Sequence, residues 1–168
     1  PGGDRFFEFV SVELPEFVSN YFPVSDLPEH TYIAGLSMGG YGALLHGLTH
    51  PERFAAIGSF SGAFMPVGDP DEIRGLVGGP LDVAYIAKQA AVSGTQLPAL
   101  YISCGEDDFL YKLNVEFKDM LIEHHVDVTW VSLPGYTHEW RFWNLQVEQF
   151  LYWIPRTDGY AKLGKRKI

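Results

Sequence analysis

The sequence predicts an α/β fold built on a parallel sheet. Short apolar, β-prone runs alternate with longer segments in which apolar residues recur every three or four positions. Short connections join them, and strand–helix–strand units of this kind favour parallel strands with right-handed crossovers. The 168 residues are 46% hydrophobic and 15% aromatic, which is enough apolar material for one core. We therefore expect a single domain over residues 1–168.

The first part of the chain predicts a helix, a strand, a second helix and a second strand. The first helix follows Asp4, is expected to kink at Pro15, and shows a stripe of five apolar residues: Phe7, Val10, Leu14, Phe17 and Tyr21. A strand over 31–36 is apolar and partly β-branched, so we expect it to be buried on both faces. A helix over 38–50 stops before Pro51, and a strand over 55–60 follows.

Residues 62–97 are predicted to form a cap or lid insertion above the strand ends. Prolines and glycines break the pattern at Pro66, Pro70, Gly75, Gly78, Gly79 and Pro80. Short helices are predicted over 71–77 and 82–91. The alternative is an ordinary helical crossover with a long loop.

The second half of the chain continues the alternation. It predicts a strand over 99–103, a helix over 111–124, a strand over 126–133 and an aromatic-rich helix over 139–154. The basic residues of the final segment, 156–168, predict a solvated polar tail rather than a binding patch.

Composition excludes several classes of function. The chain carries 12 Lys and Arg against 21 Asp and Glu, a net charge of −9, so we expect no nucleic-acid partner and no membrane partner. Cys104 is the single cysteine, which excludes an internal disulfide and favours a cytoplasmic compartment. No cysteine and histidine cluster has the spacing of a zinc site, so we expect no metal and no cofactor. The chain opens with Pro1, so we expect a processed or cut product with any targeting signal upstream.

The motif that carries chemistry is Gly-x-Ser-x-Gly, formed by Gly35, Ser37 and Gly39. It lies between a predicted strand and a predicted helix, the context of a nucleophile elbow. A β-carbon on either glycine is expected to collide with neighbouring backbone, and the Met38 N–H is expected to stabilise an oxyanion beside Ser37. The alternative is a glycine-rich turn with a bystander serine.

Two further residue types complete the pattern of a serine nucleophile, which needs a histidine base held by a carboxylate. Three adjacent acids, Glu106, Asp107 and Asp108, follow the third strand, and the last of them is expected to lie furthest over the strand ends. His138 follows the fourth strand in a Gly-x-x-His loop. The other five histidines are expected to be capping or surface residues: His30, His46, His50, His124 and His125.

The order serine, acid, histidine is that of an α/β-hydrolase, and four segments carry a closer resemblance. They are Ala34–Ala43, Ser59–Ala63, Cys104–Tyr111 and Gly135–Trp140. With them the chain resembles the esterase D family of α/β-hydrolases, most of all its tributyrin-esterase and acetyl-esterase branch. The similarity runs from the first helix to about Ile154.

The resemblance implies an α/β-hydrolase three-layer sandwich and a serine carboxylesterase that needs no cofactor. It implies Ser37 as nucleophile, His138 as base and Asp108 as acid, with Asp107 as the alternative acid. The implied substrates are short-chain acyl esters, cleaved through an acyl-serine intermediate. S-formylglutathione hydrolase, feruloyl or acetyl-xylan esterase and acyltransferase activities are alternatives on the same triad. Four side chains are expected to line an acyl pocket, with core or lid packing as the alternative: Phe64, Met65, Tyr136 and Trp140.

One departure from the family concerns the start of the chain. Members of the family carry several strands ahead of the helix that opens this sequence, and the resemblance assigns them half the sheet and a second oxyanion donor. We therefore expect the C-terminal portion of an α/β-hydrolase domain, either joined to the missing N-terminal segment or self-associated as a homo-oligomer through the sheet edge. An inactive binding or scaffold fragment is the alternative from another class of function.

Overall fold

The protein is described here by a computed structural model, which describes residues 6–64 and 77–156. Four strands form one sheet in the order of the sequence: β1 (Tyr32–Leu36), β2 (Ala56–Phe60), β3 (Ala99–Gly105) and β4 (Val128–Leu133). Every neighbouring pair is parallel, with Gly35 opposite Ser59 and Ser59 opposite Ile102. The predicted parallel α/β sheet is confirmed. Its strand bounds differ from the prediction by two residues at most, since strand ends depend on pairing partners that local pattern does not specify.

The described ranges contain six α-helices. They are α1 (Phe6–Glu8), α2 (Leu14–Tyr21), α3 (Met38–Thr49), α4 (Val83–Ser93), α5 (Tyr111–Glu123) and α6 (Trp140–Trp153). A π-helical turn, Phe9–Glu13, joins α1 to α2. None of the helices in this part of the chain has the length and apolar character needed to span a bilayer.

The irregular turn before α2 has a cause in the sequence. Pro15 has no N–H with which to bond the carbonyl of Ser11 one turn earlier. The Ser11 carbonyl instead accepts a hydrogen bond from the Arg53 guanidinium. The irregularity predicted at Pro15 therefore lies in the turn that precedes it, and it couples this helical segment to the loop after α3.

Two apolar layers sandwich the sheet. One layer packs α3, α4 and α5 on one face, with Leu44, Ala87, Phe117 and Leu121 among its buried residues. The other packs α6 on the opposite face, with Phe142, Trp143 and Phe150 against Phe60 and Tyr101. Helices on both faces of the sheet give the predicted three-layer arrangement.

The expectation that the first strand is buried on both faces is wrong. Ala34, at the middle of β1, is exposed, and the rest of the strand is half-buried. Within the described residues β1 pairs only with β2, so it is an edge strand and one side has no partner. The apolar stripe predicted on one helix is divided between α1, the π-helical turn and α2, and its members Phe17 and Tyr21 are 54% and 72% exposed.

The region predicted as a cap or lid is described only in part. Residues 65–76 lie outside the described residues, and most of the helix predicted over 71–77 lies there with them. The helix predicted over 82–91 is α4, which begins one residue later because Asp82 is its N-cap and accepts bonds from Ala84 N at 3.0 Å and Tyr85 N at 3.1 Å. Gly94 ends it at a φ of 70°. All but the first residue of the tail predicted over 156–168 also lies outside the description.

Candidate active site

Ser37 occupies a strained turn between β1 and α3. Its φ of 53° and ψ of −121° are unusual for a residue with a side chain. The backbone is held there because Ser37 N donates to Phe60 O at 2.9 Å and Ser37 O accepts from Ala63 N at 3.0 Å. Met38 is the first residue of α3, where a backbone N–H has no acceptor within the helix.

The glycines of the elbow have different roles. A β-carbon at Gly35 would lie 2.2 Å from Gly39 O, so only glycine allows this close approach of strand and helix. The same prediction for Gly39 is wrong, because a β-carbon there would meet no described atom within 4 Å apart from its adjoining residues and the backbone of its own helical turns. The second crowded position is Gly40, whose β-carbon would lie 2.7 Å from Ser59 Oγ.

Ser37, His138 and Asp108 are joined by two hydrogen bonds. His138 Nε2 lies 2.9 Å from Ser37 Oγ, and His138 Nδ1 lies 2.9 Å from Asp108 Oδ2. An ionised carboxylate can only accept, so Nδ1 carries the proton and Nε2 of the neutral ring is free to accept from the Ser37 hydroxyl. The Asp108 side chain has no exposed surface, and its other oxygen accepts from Leu110 N at 2.8 Å. This arrangement can activate a serine hydroxyl.

The two other acids of the loop after β3 have different surroundings from Asp108. Glu106 and Asp107 are exposed. Glu106 accepts from the Ser132 hydroxyl at 3.1 Å, and the backbone N–H of Asp107 donates to Tyr136 O at 3.1 Å. The loop after β3 can approach the loop after β4 because Gly105 has no side chain, since a β-carbon there would lie 2.2 Å from Tyr136 O.

A buried thiol lies behind the acid. Burial, and after it the negative charge of Asp108, raises the pKa of Cys104 to about 12. The Cys104 thiol donates weakly to Ser61 Oγ at 3.9 Å, and Trp143 Nε1 donates to the same oxygen at 3.2 Å. At neutral pH the thiol therefore stays protonated and adds no second negative charge beside Asp108.

Sequence reasoning missed three residues around His138. The Phe109 ring lies 4.7 Å from the His138 ring, and the Trp143 ring meets its edge at 4.8 Å. Ser61, at a φ of 48°, holds Trp143 through the hydrogen bond to its indole. Two of these residues could have been found from the sequence. Phe109 is adjacent to the acid Asp108, and Trp143 lies one turn into the helix that follows His138.

The four side chains predicted to line an acyl pocket lie in different surroundings. Phe64 packs on Phe117 in the core at a ring distance of 4.5 Å, and Tyr136 packs on Phe142 at 5.6 Å beneath the Arg141 guanidinium. Both positions favour the packing alternative. Trp140 is 66% exposed near His138, and Met65 lies outside the described residues.

Most of the remaining histidines lie at turns or on the surface, as expected, but His46 does not. It is buried on α3, where Nδ1 lies 3.0 Å from Ser11 Oγ and the ring stacks on Phe7 at 4.3 Å. Burial lowers the pKa of His46, with smaller contributions from His50 and Arg53. His124 ends α5 with Nδ1 buried. Within the described ranges, no group of three or more His, Cys, Asp or Glu side chains is placed to hold a metal ion.

A model of the Esterase family matches residues 1–154 of the sequence. The chain belongs to the Esterase family. This family member is 31% identical to an acetyl esterase from Caldicellulosiruptor saccharolyticus, covering 92% of this chain and 65% of that relative. It is 29% identical to an S-formylglutathione hydrolase from Bos taurus, covering 82% of this chain and 52% of that relative.

Solved structures agree with the family. An S-formylglutathione hydrolase from Staphylococcus aureus matches this Esterase family member with a TM-score of 0.82 at 26% identity, covering 92% of this chain and 65% of that one. The predicted α/β-hydrolase fold and the resemblance to esterase D are thereby confirmed. The chain spans about two thirds of the acetyl esterase and about half of the bovine hydrolase, at 65% and 52% of their lengths.

Proposed function

We propose that this protein is a serine carboxylesterase that hydrolyses short-chain acyl esters through an acyl-enzyme intermediate. The observation that carries the proposal is the pair of 2.9 Å contacts that link Ser37, His138 and the buried Asp108. Similarity to an acetyl esterase over 92% of this chain supports the choice of a small acyl group.

The proposed reaction has two halves. Ser37 Oγ attacks the ester carbonyl while its proton passes to His138 Nε2, and the resulting imidazolium is stabilised by Asp108. The bond between the carbonyl carbon and the alcohol oxygen then breaks, and His138 gives the proton taken from Ser37 to the leaving alcohol oxygen. In the second half, water attacks the acyl-serine carbonyl and gives its proton to His138. The acid is released and Ser37 regains a proton.

The negative oxygen that forms in each half needs hydrogen-bond donors. We assign one donor to the Met38 N–H at the start of α3, where the helix dipole also favours negative charge. The second donor is proposed to come from the N-terminal segment that the family resemblance implies. One donor is typically worth about 10²–10³ in kcat, so ester turnover is expected to be slow when the second is absent.

The decisive experiment is the intact mass of the chain before and after a fluorophosphonate probe. A single adduct is expected on the wild type, none on Ser37→Ala, and an unchanged adduct on the control Ser93→Ala, which alters an exposed serine at the end of α4. Failure of the wild type to react, or an adduct that persists in Ser37→Ala, would overturn the proposal. Reactive wild type is then assayed with nitrophenyl esters of increasing acyl length, and acetyl or butyryl esters are expected to react fastest.

Thioesterase activity is the alternative that a specific observation favours, because S-formylglutathione hydrolases are among the relatives. Acyl transfer is the second alternative on this site. Both use the same triad and the same acyl-serine. Comparison of matched oxygen esters and thioesters, with and without an acceptor alcohol, distinguishes them. A non-catalytic binding fragment is favoured only by the incomplete oxyanion site, and labelling of Ser37 would exclude it.

We also propose that the outer face of α2 and the unpaired side of β1 receive the N-terminal strands implied by the family. Exposed Phe17 and Tyr21 on α2 and exposed Ala34 on β1 support this, as does the 65% share of the acetyl esterase that the chain spans. Strands added there would bury apolar side chains and satisfy the edge of the sheet. A second copy of this chain is the competing occupant.

We further propose a reducing, cytoplasmic location. The single cysteine, Cys104, is buried and its raised pKa keeps it a thiol, which supports a protein that does not rely on disulfides. Native protein at pH 8 is expected to resist a thiol reagent that reacts fully after unfolding. A secretory signal encoded directly ahead of Pro1 would contradict the location.

A further inference from the structure

Two exposed aromatic side chains flank the proposed catalytic base. Phe109 is 78% exposed and its ring lies 4.7 Å from the ring of His138. Trp140 is 66% exposed and packs edge-on against Trp143 at 5.3 Å, and Trp143 in turn meets His138 at 4.8 Å. Large apolar side chains that are exposed together beside a reactive centre are typical of a ligand-contact surface.

Both side chains are carried on rigidly held backbone. Phe109 lies in a turn fixed by Asp108, whose carboxylate accepts from Leu110 N at 2.8 Å and whose carbonyl accepts from Tyr111 N at 2.9 Å. On the other side, Trp143 is buried and its indole donates to Ser61 Oγ at 3.2 Å. A surface built on such supports loses little conformational entropy when a ligand binds.

The proposed reaction places one part of the substrate beside these rings. His138 Nε2 delivers its proton to the leaving oxygen, so that oxygen must come within hydrogen-bond reach of Nε2. Groups attached to it then lie next to the Phe109 ring, which contacts His138 directly. They also come near the exposed Trp140 ring, which packs on Trp143, the second ring in contact with His138. The acyl group is bonded instead to Ser37 Oγ, and it stays there after the alcohol has left.

We propose that Phe109 and Trp140 form the binding surface for the leaving alcohol and select neutral alcohols with an apolar or aromatic body. The inference rests on the proposed esterase function and adds the alcohol specificity of the same site. Aromatic side chains favour aromatic partners through stacking as well as burial. Glu106 and Asp107, which are exposed on the turn that carries Phe109, disfavour an anionic alcohol.

The test holds the acyl group constant and changes the alcohol. The full chain, Phe109→Ala and Trp140→Ala are assayed with ethyl, benzyl and 4-carboxybenzyl acetate, and each variant is compared with the wild type on the same ester, which cancels intrinsic reactivity. For benzyl acetate, kcat/KM is expected to fall about three- to ten-fold in each variant, whereas ethyl acetate changes by less than about two-fold. Wild type is expected to prefer the benzyl over the 4-carboxybenzyl ester.

The same surface must bind an acceptor alcohol that attacks the acyl-enzyme, because transfer is the reverse of the first half-reaction. The donor is 4-nitrophenyl acetate and the acceptor is benzyl alcohol. The ratio of benzyl acetate formed to acetate formed is expected to fall in Phe109→Ala and in Trp140→Ala. Tyr152→Ala, which removes an exposed aromatic ring elsewhere on α6, is the matched control and is expected to match the wild type.

Three results would overturn the inference. Equal losses on ethyl and benzyl acetate would show that Phe109 and Trp140 support the fold or the base but not the alcohol. Benzyl butyrate is assayed beside benzyl acetate, and losses in the variants that follow the acyl length instead would place the acyl group there. Absence of any ester turnover and of labelling at Ser37 would overturn the proposed function and this inference together, and labelling separates that result from the first two.

Discussion

Asp107 and Asp108 are adjacent residues with the same side chain in different surroundings. Asp108 is buried and its carboxylate reaches His138 at 2.9 Å, whereas Asp107 is exposed. We expect Asp108→Asn to lower kcat by roughly 10³–10⁴, because an amide in that place favours the wrong tautomer of His138. Asp107→Asn is the matched control and is expected to retain activity within about two-fold, since the change leaves the 2.9 Å contact intact.

Both variants are measured as kcat with 4-nitrophenyl acetate and as the rate of fluorophosphonate labelling, with circular dichroism as the check on folding. A folded Asp108→Asn protein with wild-type kcat would contradict the assignment of the acid. So would a large loss in Asp107→Asn.

His46 carries a prediction about pH and stability. Burial first, and then the positive charges of His50 and Arg53, lowers the pKa of His46 in the folded state. Between that lowered pKa and about 6.5, the unfolded chain binds more protons at this residue than the folded chain does. The free energy of unfolding is therefore expected to fall as the pH falls below about 6.5.

The contribution of His46 is isolated with His46→Asn, which keeps a donor near Ser11 Oγ but does not titrate. Urea unfolding at several pH values between about 5 and 7.5 should show a smaller loss of stability on acidification in this variant than in the wild type. Parallel pH profiles for the two proteins would show that His46 does not contribute.

At the scale of elements, α5 ties the loop after β2, which holds the Ser37 carbonyl, to the loop that carries Asp108. Asn114 on α5 is fully buried, and its Oδ1 accepts from Gly62 N at 3.1 Å. Its Nδ2 donates to Gly62 O and to Leu110 O, both at 2.9 Å. Gly62 precedes Ala63, whose N–H bonds Ser37 O, and Leu110 bonds the Asp108 carboxylate. One amide thus positions both loops from behind.

Asn114→Asp keeps the shape of that amide and removes both donated hydrogen bonds. We expect it to lower the free energy of unfolding by about 2–5 kcal/mol, because the Gly62 carbonyl loses its side-chain donor and a buried carboxylate takes the place of the amide. The Leu110 carbonyl keeps the hydrogen bond from the Asn114 backbone N–H at 3.0 Å. Activity is expected to fall mainly in kcat, since the loops position reacting groups rather than bind substrate.

Asn144→Asp is the control for that change, because Asn144 is an exposed asparagine on α6. Its unfolding in urea and its kcat are expected to match the wild type. An Asn114→Asp protein that unfolds at the wild-type urea concentration would show that the two donated hydrogen bonds contribute little.

At the scale of the whole molecule, the edge of the sheet formed by β1 is exposed within the described residues. The outer face of α2 presents Phe17 and Tyr21 to solvent, and β1 is unpaired on one side within the described residues. Apolar faces and strand edges of this kind drive association. In sedimentation velocity, residues 1–168 alone are therefore expected to associate in a concentration-dependent way, and Phe17→Ser is expected to weaken that association.

The same experiment on a longer chain that includes the N-terminal strands of the family distinguishes the two occupants of this face. A compact monomer is expected there, because the added strands cover α2 and β1. A well-folded monomer of residues 1–168 at every concentration would contradict association altogether, and association that persists in the longer chain would favour the second copy.

Local pattern predicted much of this protein. The strands, the longer helices and the elbow at Ser37 follow from periodicity and from Gly-x-Ser-x-Gly, which act over a few residues. His138 was separable from five other histidines by its place after a strand. The bounds of β3 were less predictable, because the extension to Gly105 depends on pairing with Leu133 of β4.

The sequence by itself determined the α/β architecture, the order of serine, acid and histidine, and the turn that strains Ser37. Only the tertiary structure decided which of three acids reaches His138, that Phe64 and Tyr136 pack against Phe117 and Phe142, and that β1 is an edge strand within the described residues. The physical reason is the sequence distance over which each kind of interaction acts. Backbone preferences act between neighbours, whereas these outcomes depend on contacts such as Ser37 to His138, which are 101 residues apart in the chain and meet only once the sheet has formed.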